Sequence, residues 1–277
     1  VIVLRRTSGS CLCVFCGKLN SVDARACFHC GRRNPGLWGF GPLVGRLVAE
    51  ATFARVVSAV CLAAFVGALL LDPRAALRPR GVFGLLAPSR GALDLLGMTG
   101  AYAWAHGRWW TLLTAIYLHG GALHLLFNLL WIRQLAPAVE EIYGRSRLVL
   151  VFTAAGVLGF VASNAVGVAF TLGASGGIFG LLGALVAYGR SRGGLFGGAI
   201  LRHYGQWALV LFALGFLMSG VNNFAHAGGF VGGYLMGTAL AGRERLAGRD
   251  HLGPVAGATV LLTAIAFGLA VWTGFIR

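Results

Sequence analysis

Two sets of side chains in this 277-residue chain could do chemistry. The first is Cys13-x2-Cys16-x10-Cys27-x2-Cys30. In a tetrahedral zinc site thiolates reach the metal at about 2.3 Å, and a CxxC pair delivers two of the four ligands from one tight turn. Gly17 and Gly31 directly follow the two pairs and suit turns that free backbone N–H groups toward sulfur. Two disulfides are the alternative, which a reducing compartment disfavours. A structural zinc held by Cys13, Cys16, Cys27 and Cys30 is therefore expected, with no cofactor for catalysis. Cys11 is a spare thiol and His29 lies inside a knuckle; neither is needed.

The second set is scattered through apolar runs: His124, Asn128, Ser175, Asn222, Asn223 and His226. Polar groups inside a membrane span are costly, so each is a functional candidate. His124 and Asn128 lie one turn apart and share a helix face. Ser175 opens a helix, where backbone N–H groups are unpaired and the dipole favours negative charge. At helical rise, Ser175 stands about 22 Å above Arg190 and His226 about 25 Å above Arg243, so the two share one depth in the outer half of a bilayer. A hydroxyl, an imidazole from a second helix and donors at one depth suit acyl transfer: attack, proton removal and oxyanion stabilisation.

Composition dictates where these groups are held. The chain is 57% hydrophobic and 11% charged, against about 25% charged in soluble domains. Its mean hydropathy is +0.78. An ordinary soluble enzyme and a disordered chain are both excluded. Seven apolar runs read as spans, at about 56–71, 121–141, 148–168, 173–189, 205–221, 225–241 and 254–275. Residues 72–119 are broken by Pro and Gly and carry Tyr102, Trp104, Trp109 and Trp110, as an outer interfacial segment does. Residues 1–36 form the Cys-rich head and 37–55 a linker containing Arg46. No cleavable signal peptide is expected, because Val1 to Leu4 is too short for an apolar h-region.

The net charge of +15 is the charge of loops. Arg145 and Arg147, then Arg190, Arg192 and Arg202, then Arg243, Arg245 and Arg249 fall in alternate loops, and the loops between them are uncharged. This asymmetry places the Arg-bearing loops and the N-terminus in the cytoplasm and the C-terminus outside. Arg74, Arg78, Arg80 and Arg90 in the outer segment run against the rule. The Gly176-xxx-Gly180 and Gly229-xxx-Gly233 spacings give two spans flat faces on which to meet.

Gly173-Ala-Ser175-Gly176-Gly177-Ile-Phe-Gly180, His124-Leu-Leu-Phe-Asn128 and Ala225-His226-Ala-Gly-Gly229-Phe-Val-Gly-Gly233 resemble three signatures of the rhomboid intramembrane serine proteases. The resemblance covers about residues 50 to 277. It implies an all-α polytopic bundle of six core transmembrane helices plus a C-terminal seventh, beside the small zinc-binding head with its four cysteine ligands. It also implies a catalytic dyad of Ser175 and His226 without a carboxylate. His124, Asn128 and the Ser175 amide would form the oxyanion hole. Glu140 matches the family's structural Glu at the inner end of the second span, and His119 a further His upstream. Two departures stand out. Arg108 is displaced from the family's Trp-Arg position beside Trp109-Trp110, and Phe179 replaces the Tyr often found near the catalytic His. The head is similar both to short zinc ribbons and to the Ran-binding-protein type of zinc finger, with Asn20 between its knuckles.

Several alternatives fail on context. Gly173-x-Ser175-x-Gly177 also fits a soluble nucleophile elbow, which needs a strand and an α/β sheet that apolar flanks cannot supply. There is no HExxH motif. Paired intramembrane carboxylates and inverted repeats, the marks of a transporter, are missing. The expected activity is serine endopeptidase cleavage of transmembrane or juxtamembrane segments of other membrane proteins. A non-catalytic relative that binds membrane clients is the alternative. Small residues before the cut are the preference that the resemblance implies, and the fifth span, with Trp207, Phe212 and Phe216, is the lateral gate by analogy. The expected setting is a prokaryotic inner membrane. The expected partners are transmembrane protein substrates, the lipid bilayer and a cytoplasmic protein at the head. Nucleic acid is disfavoured, because only Phe15, Phe28 and Trp38 could stack on bases.

Overall fold

A computed structural model describes residues 5–14, 16–43, 52–78, 84–218, 220–240 and 251–276. Val1 to Leu4, Phe15, Arg46, Arg80, Arg243, Arg245 and Arg249, named above, lie outside the described residues. The chain divides into two compact units, Val1–Val56 and Val57–Arg277.

The first unit is built on a hairpin, β1 (Ser10–Leu12) and β2 (Leu19–Ser21), paired antiparallel with Cys11 opposite Asn20. The strands are too short to bury a core of their own. Cys11 and Asn20 point inward, while the cross-strand pair Leu12 and Leu19 stays exposed.

The second unit is helical. The long helices are α1 (Phe53–Leu71), α6 (Ala122–Tyr143), α7 (Arg145–Ala165), α8 (Ser175–Arg192), α9 (Gly194–Leu217), α10 (Asn223–Leu240) and α11 (Gly253–Ile276). Between α1 and α6 lie the short α2 (Pro73–Ala76), α3 (Arg90–Leu95), α4 (Ala101–Ala105) and α5 (Thr111–Thr114). Local chemistry sets the boundaries. Asp72 caps α2 by accepting the Ala75 N–H at 3.2 Å, with Pro73 at the first helical position. Ser89 Oγ does the same for α3 through the Ala92 N–H at 3.2 Å. Gly144, at φ +87°, both ends α6 and begins α7, a conformation that a side chain would strain.

Five described helices are long and apolar enough to cross a membrane: α1, α6, α7, α9 and α11. The protein is an integral, multi-pass membrane protein. The other two, α8 and α10, are shorter and rich in glycine. Every residue of α8 from Gly176 to Gly189 is buried. A helix wrapped by other helices has no need of a lipid-soluble surface, so its composition answers to packing instead.

The fifth long helix begins at Gly194, earlier than the sequence pattern indicates, and takes in Arg202. Gly193 turns the chain at φ +62°. A Cβ on Gly197 would then sit 2.5 Å from the Gly189 carbonyl oxygen. Gly193 and Gly194, at φ +62° and +61°, make the turn, and Gly197 is a close helix–helix contact.

Candidate active site

The site is assembled by backbone contacts between α8 and α10. A Cβ on Gly229 would strike the Gly176 carbonyl oxygen, and one on Gly233 would strike that of Gly180. Gly183 meets the Phe230 carbonyl in the same way. α7 joins the same contact: a Cβ on Gly159 would lie 2.5 Å from the Ala225 oxygen, which a Cβ on Gly176 would approach to 3.5 Å. The small residues thus form a continuous seam. Ser175 precedes Gly176, and His226 lies one turn before Gly229, so the seam that joins the helices brings the hydroxyl and the imidazole to the same end.

Ser175 is the first residue of α8 and is half-buried. The first helical bond nearby runs from the Ile178 N–H to the Ala174 oxygen at 3.0 Å, so the Ser175, Gly176 and Gly177 amides form the electropositive first turn. Gly173 enters this turn at φ +122° and donates its N–H to the Ala115 oxygen at 2.9 Å. Its missing side chain leaves a notch. A Cβ there would lie 2.8 Å from His124 Nε2 and 3.8 Å from Ser175 Oγ. The missing side chain lets the imidazole of α6 and the hydroxyl of α8 approach the same backbone position.

The His124 tautomer follows from one bond. The Gly120 N–H donates to His124 Nδ1 at 3.3 Å, so a neutral ring carries its proton on Nε2, the nitrogen facing the notch. Asn128 is buried one turn along α6 and donates Nδ2–H to the His124 carbonyl at 2.7 Å. This fastens the carboxamide to its own helix and leaves the second amide proton uncommitted by that bond. His119 is fully buried behind His124, with ring centroids 5.0 Å apart. His226 is buried, with Nδ1 3.2 Å from Asn223 Oδ1. The Phe179 ring stacks on its face at 4.3 Å and 17°. Glu140 pairs with Arg145 at 3.0 Å at the opposite end of α6.

Asn222, one of the polar candidates in the sequence, takes a positioning part beside residues that carried little sequence signal. Asn222 donates to Ser163 Oγ at 2.6 Å and to Thr171 Oγ1 at 2.9 Å, tying the start of α10 to α7 and to the strand-like entry to Gly173. Thr99 and Thr171 exchange backbone bonds of 3.2 and 2.8 Å, which hold the outer segment against that entry. Arg108, displaced from the family position, is 3% exposed and donates to Asp94 Oδ1 at 2.7 Å and to the Asp94 carbonyl at 2.8 Å. An Arg surrounded by Trp and Thr was the available clue, since a buried guanidinium requires a partner.

The head holds a second candidate site. The sulfurs of Cys13, Cys16, Cys27 and Cys30 lie within 4.8 Å of one another and could hold a metal ion. Cys16 and Cys27 Sγ are 3.6 Å apart, and Cys13 and Cys30 Sγ 3.9 Å. Four thiolates at metal-bond length around a tetrahedral ion stand about 3.8 Å apart, whereas a disulfide needs about 2.05 Å. The two knuckles are built alike. Cys13 and Cys27 donate N–H to the Lys18 and Arg32 oxygens, while Gly17 and Gly31, both at φ +69°, donate back to Cys13 and Cys27. Asn20 joins the halves, donating to Cys27 Sγ at 3.2 Å and accepting the Phe28 N–H at 3.1 Å. Burial works against ionisation of Cys27, but N–H groups of Cys30 and His29 overcome it and hold the thiol down to about 6. The donor set fits a thiophilic metal.

Residues 106–243 match the family model of the Rhomboid domain. The chain is 39% identical over 168 residues to rhomboid protease GluP of Bacillus subtilis, covering 59% of this chain and 32% of that protein. It is 36% identical over 138 residues to the putative rhomboid protease YdcA of the same organism, covering 48% of this chain and 67% of that one. It is 35% identical over 187 residues to RHOMBOID-like protein 1 of Arabidopsis thaliana, covering 65% and 46%. The chain thus spans about a third of the length of the first relative and two thirds of the second. The matched region contains α6 to α10 and every polar group around the Gly173 notch, and on this agreement the chain belongs to the rhomboid family.

Proposed function

We propose that this chain is an intramembrane serine endopeptidase acting on transmembrane or juxtamembrane segments of other membrane proteins. The observation that carries this reading is the Gly173 notch, flanked within 4 Å by both His124 Nε2 and Ser175 Oγ at the first turn of α8. Ser175 Oγ attacks the scissile carbonyl carbon, and His226 takes the hydroxyl proton. The new oxyanion occupies the notch, facing the His124 Nε2–H, the Ser175 amide and the remaining Asn128 amide proton. His226 then gives its proton to the leaving nitrogen as the C–N bond breaks. Water, deprotonated by the same imidazole, hydrolyses the acyl ester. Gly176, Gly180, Gly229 and Gly233 keep α8 and α10 in register, and His119 and Glu140 brace α6 at its two ends.

The topology that fits the Arg distribution puts this notch near the outer face of a prokaryotic inner membrane, with the N-terminus cytoplasmic and the C-terminus outside. The head, residues 1–36, is a zinc module and docks a cytoplasmic protein rather than a nucleic acid; 37–55 is a linker and 56–277 the protease domain. Zinc is favoured over other metals by a tetrahedron of four cysteine sulfurs, and it supplies folding energy to the head rather than chemistry at Ser175.

The decisive experiment is cleavage of a single-span rhomboid substrate in liposomes by wild type and Ser175→Ala, with a fluorophosphonate probe alongside. Loss of cleavage and of labelling together in the variant is the expected result. A folded wild type that neither cuts nor labels would establish the client-binding alternative instead.

A further inference from the structure

We propose that Asn223 sets the tautomer of His226, and that Gly215 of α9 holds Asn223 in the position to do so; the inference rests on the Ser175–His226 reading above. His226 Nδ1 lies 3.2 Å from Asn223 Oδ1. An amide oxygen only accepts, so Nδ1 carries the proton and Nε2 keeps the lone pair that a base needs. His124 shows the reverse arrangement, with the Gly120 N–H donating to Nδ1 and the ring proton on Nε2. Two imidazoles share a site and divide the roles of base and donor through their outer hydrogen bonds.

Phe179 cannot make this choice. Its ring lies flat on His226 at 4.3 Å and 17°, which fixes the imidazole plane and leaves both nitrogens equivalent to it. Only an edge-on polar partner distinguishes them. The carboxamide is itself clamped. A Cβ on Gly215 would strike Asn223 Oδ1 and lie 3.0 Å from its Cγ, so Asn223 rests directly on the backbone of α9. Phe212, one turn earlier on α9, meets the Phe179 ring edge-on at 6.4 Å. Both supports of His226 therefore lean on α9. The adjacent Asn222 plays a different part. It binds Ser163 and Thr171 and accepts the Ala225 N–H at 3.2 Å, which locks the helix start. A neutral amide serves in this half-buried place because it orients the ring with less desolvation cost than a carboxylate.

The ionisable neighbour whose charge reaches His226 is His124. Arg145 and Arg147 of α7 and Tyr188, Arg190 and Arg192 of α8 lie toward the other ends of their helices, and Arg202, His203 and Tyr204 stand about three turns before Gly215 near the middle of α9. The acid limb of the pH profile therefore reports on His226 with few competing charges.

The experiment compares Asn223→Leu, Asn223→Asp and Gly215→Ala with wild type. It reads the pH dependence of kcat and KM, the rate of fluorophosphonate labelling, and the 15N shifts of His226 in 15N-histidine-labelled Ser175→Ala protein. Asn223→Leu should lower kcat and labelling by about 10²-fold, within the range of general-base contributions, with KM unchanged. In the 15N spectrum it should shift His226 from the Nδ1–H toward the Nε2–H form. Asn223→Asp can still accept, so it should keep activity within several-fold. Its charge stabilises the protonated imidazole, so its acid limb should move to higher pH. Gly215→Ala should reproduce the Leu phenotype in weaker form.

Equal losses in the Leu and Asp variants with an unmoved limb would mark a merely structural role and overturn the proposal. So would an Nε2–H His226 in the Ser175→Ala protein that keeps Asn223. If Asn223→Leu does not fold, the Asp limb and that tautomer decide alone. An Nδ1–H His226 there, beside a wild type that never cleaves, would remove the protease reading and leave the positioning of His226 standing.

Discussion

The head and the membrane unit solve the same problem by opposite means. The head has too few residues to bury a core, and four sulfurs within 4.8 Å of one another take its place. The membrane unit has abundant apolar surface, but lipid is as good a solvent for it as protein is. What holds α8 to α10 is the removal of side chains, which lets backbone meet backbone at Gly176–Gly229 and Gly180–Gly233. One unit is held by what its residues supply, the other by what they omit. Conservative substitutions should therefore fail in different ways in the two places. A Cys is irreplaceable for its thiolate, a Gly for its lack of a Cβ.

The largest effect should come from filling the glycine seam. Gly229→Val inserts three carbons where one already collides with the Gly176 oxygen, and overpacking of that kind costs about 1–3 kcal/mol or more. Cleavage should fall more than 100-fold and the melting temperature in detergent should drop, while bound metal per chain stays unchanged. Metal loss would show that the two units are not independent.

Removing the metal is the converse experiment. Cys27→Ser, or a strong chelator, should abolish zinc binding, measured as about one zinc per chain in wild type by elemental analysis. The head should then lose protease resistance, since structural zinc contributes on the order of 10 kcal/mol to folds of this size. Ser175 labelling should persist in the same sample. Loss of labelling would instead mean that the head governs the active site.

A smaller effect is expected at the outer segment. Asp94→Ala leaves the buried Arg108 without its 2.7 Å partner, at a cost of about 2 kcal/mol. Activity should fall a few-fold more steeply with temperature than in wild type, and Arg108→Met, which removes the charge too, should recover part of the loss. The smallest change should follow Asn20→Ala in the head. It deletes one bond to Cys27 Sγ and one to the Phe28 N–H, so transfer of zinc to a competing chelator should quicken by about tenfold without altering stoichiometry.

The parts legible from sequence are those where chemistry repeats at short spacing. The CxxC pairs with their trailing glycines announce their own turns, and the structure gives both knuckles the same hydrogen bonds and the same φ. The apolar runs read as helices because membrane helices must satisfy their backbone internally. Gly197 misleads, since it follows the turn glycines Gly193 and Gly194 in sequence but marks a backbone contact with Gly189 inside the helix. Arg108 also escapes a linear reading. Its partner Asp94 stands in a different short helix, and neither residue signals the other.

Composition, spacing and charge were enough to establish a membrane-embedded helical protein with a four-thiol head. These are one-dimensional properties, set by the length of a span and the pitch of a helix. Which nitrogen of His124 faces the notch, and which groups surround His226, emerged only from the packed chain. Proton placement on an imidazole depends on a single partner at hydrogen-bond distance. For His124 that partner is the backbone of Gly120, and for His226 it is a carboxamide resting on the bare Gly215 of another helix.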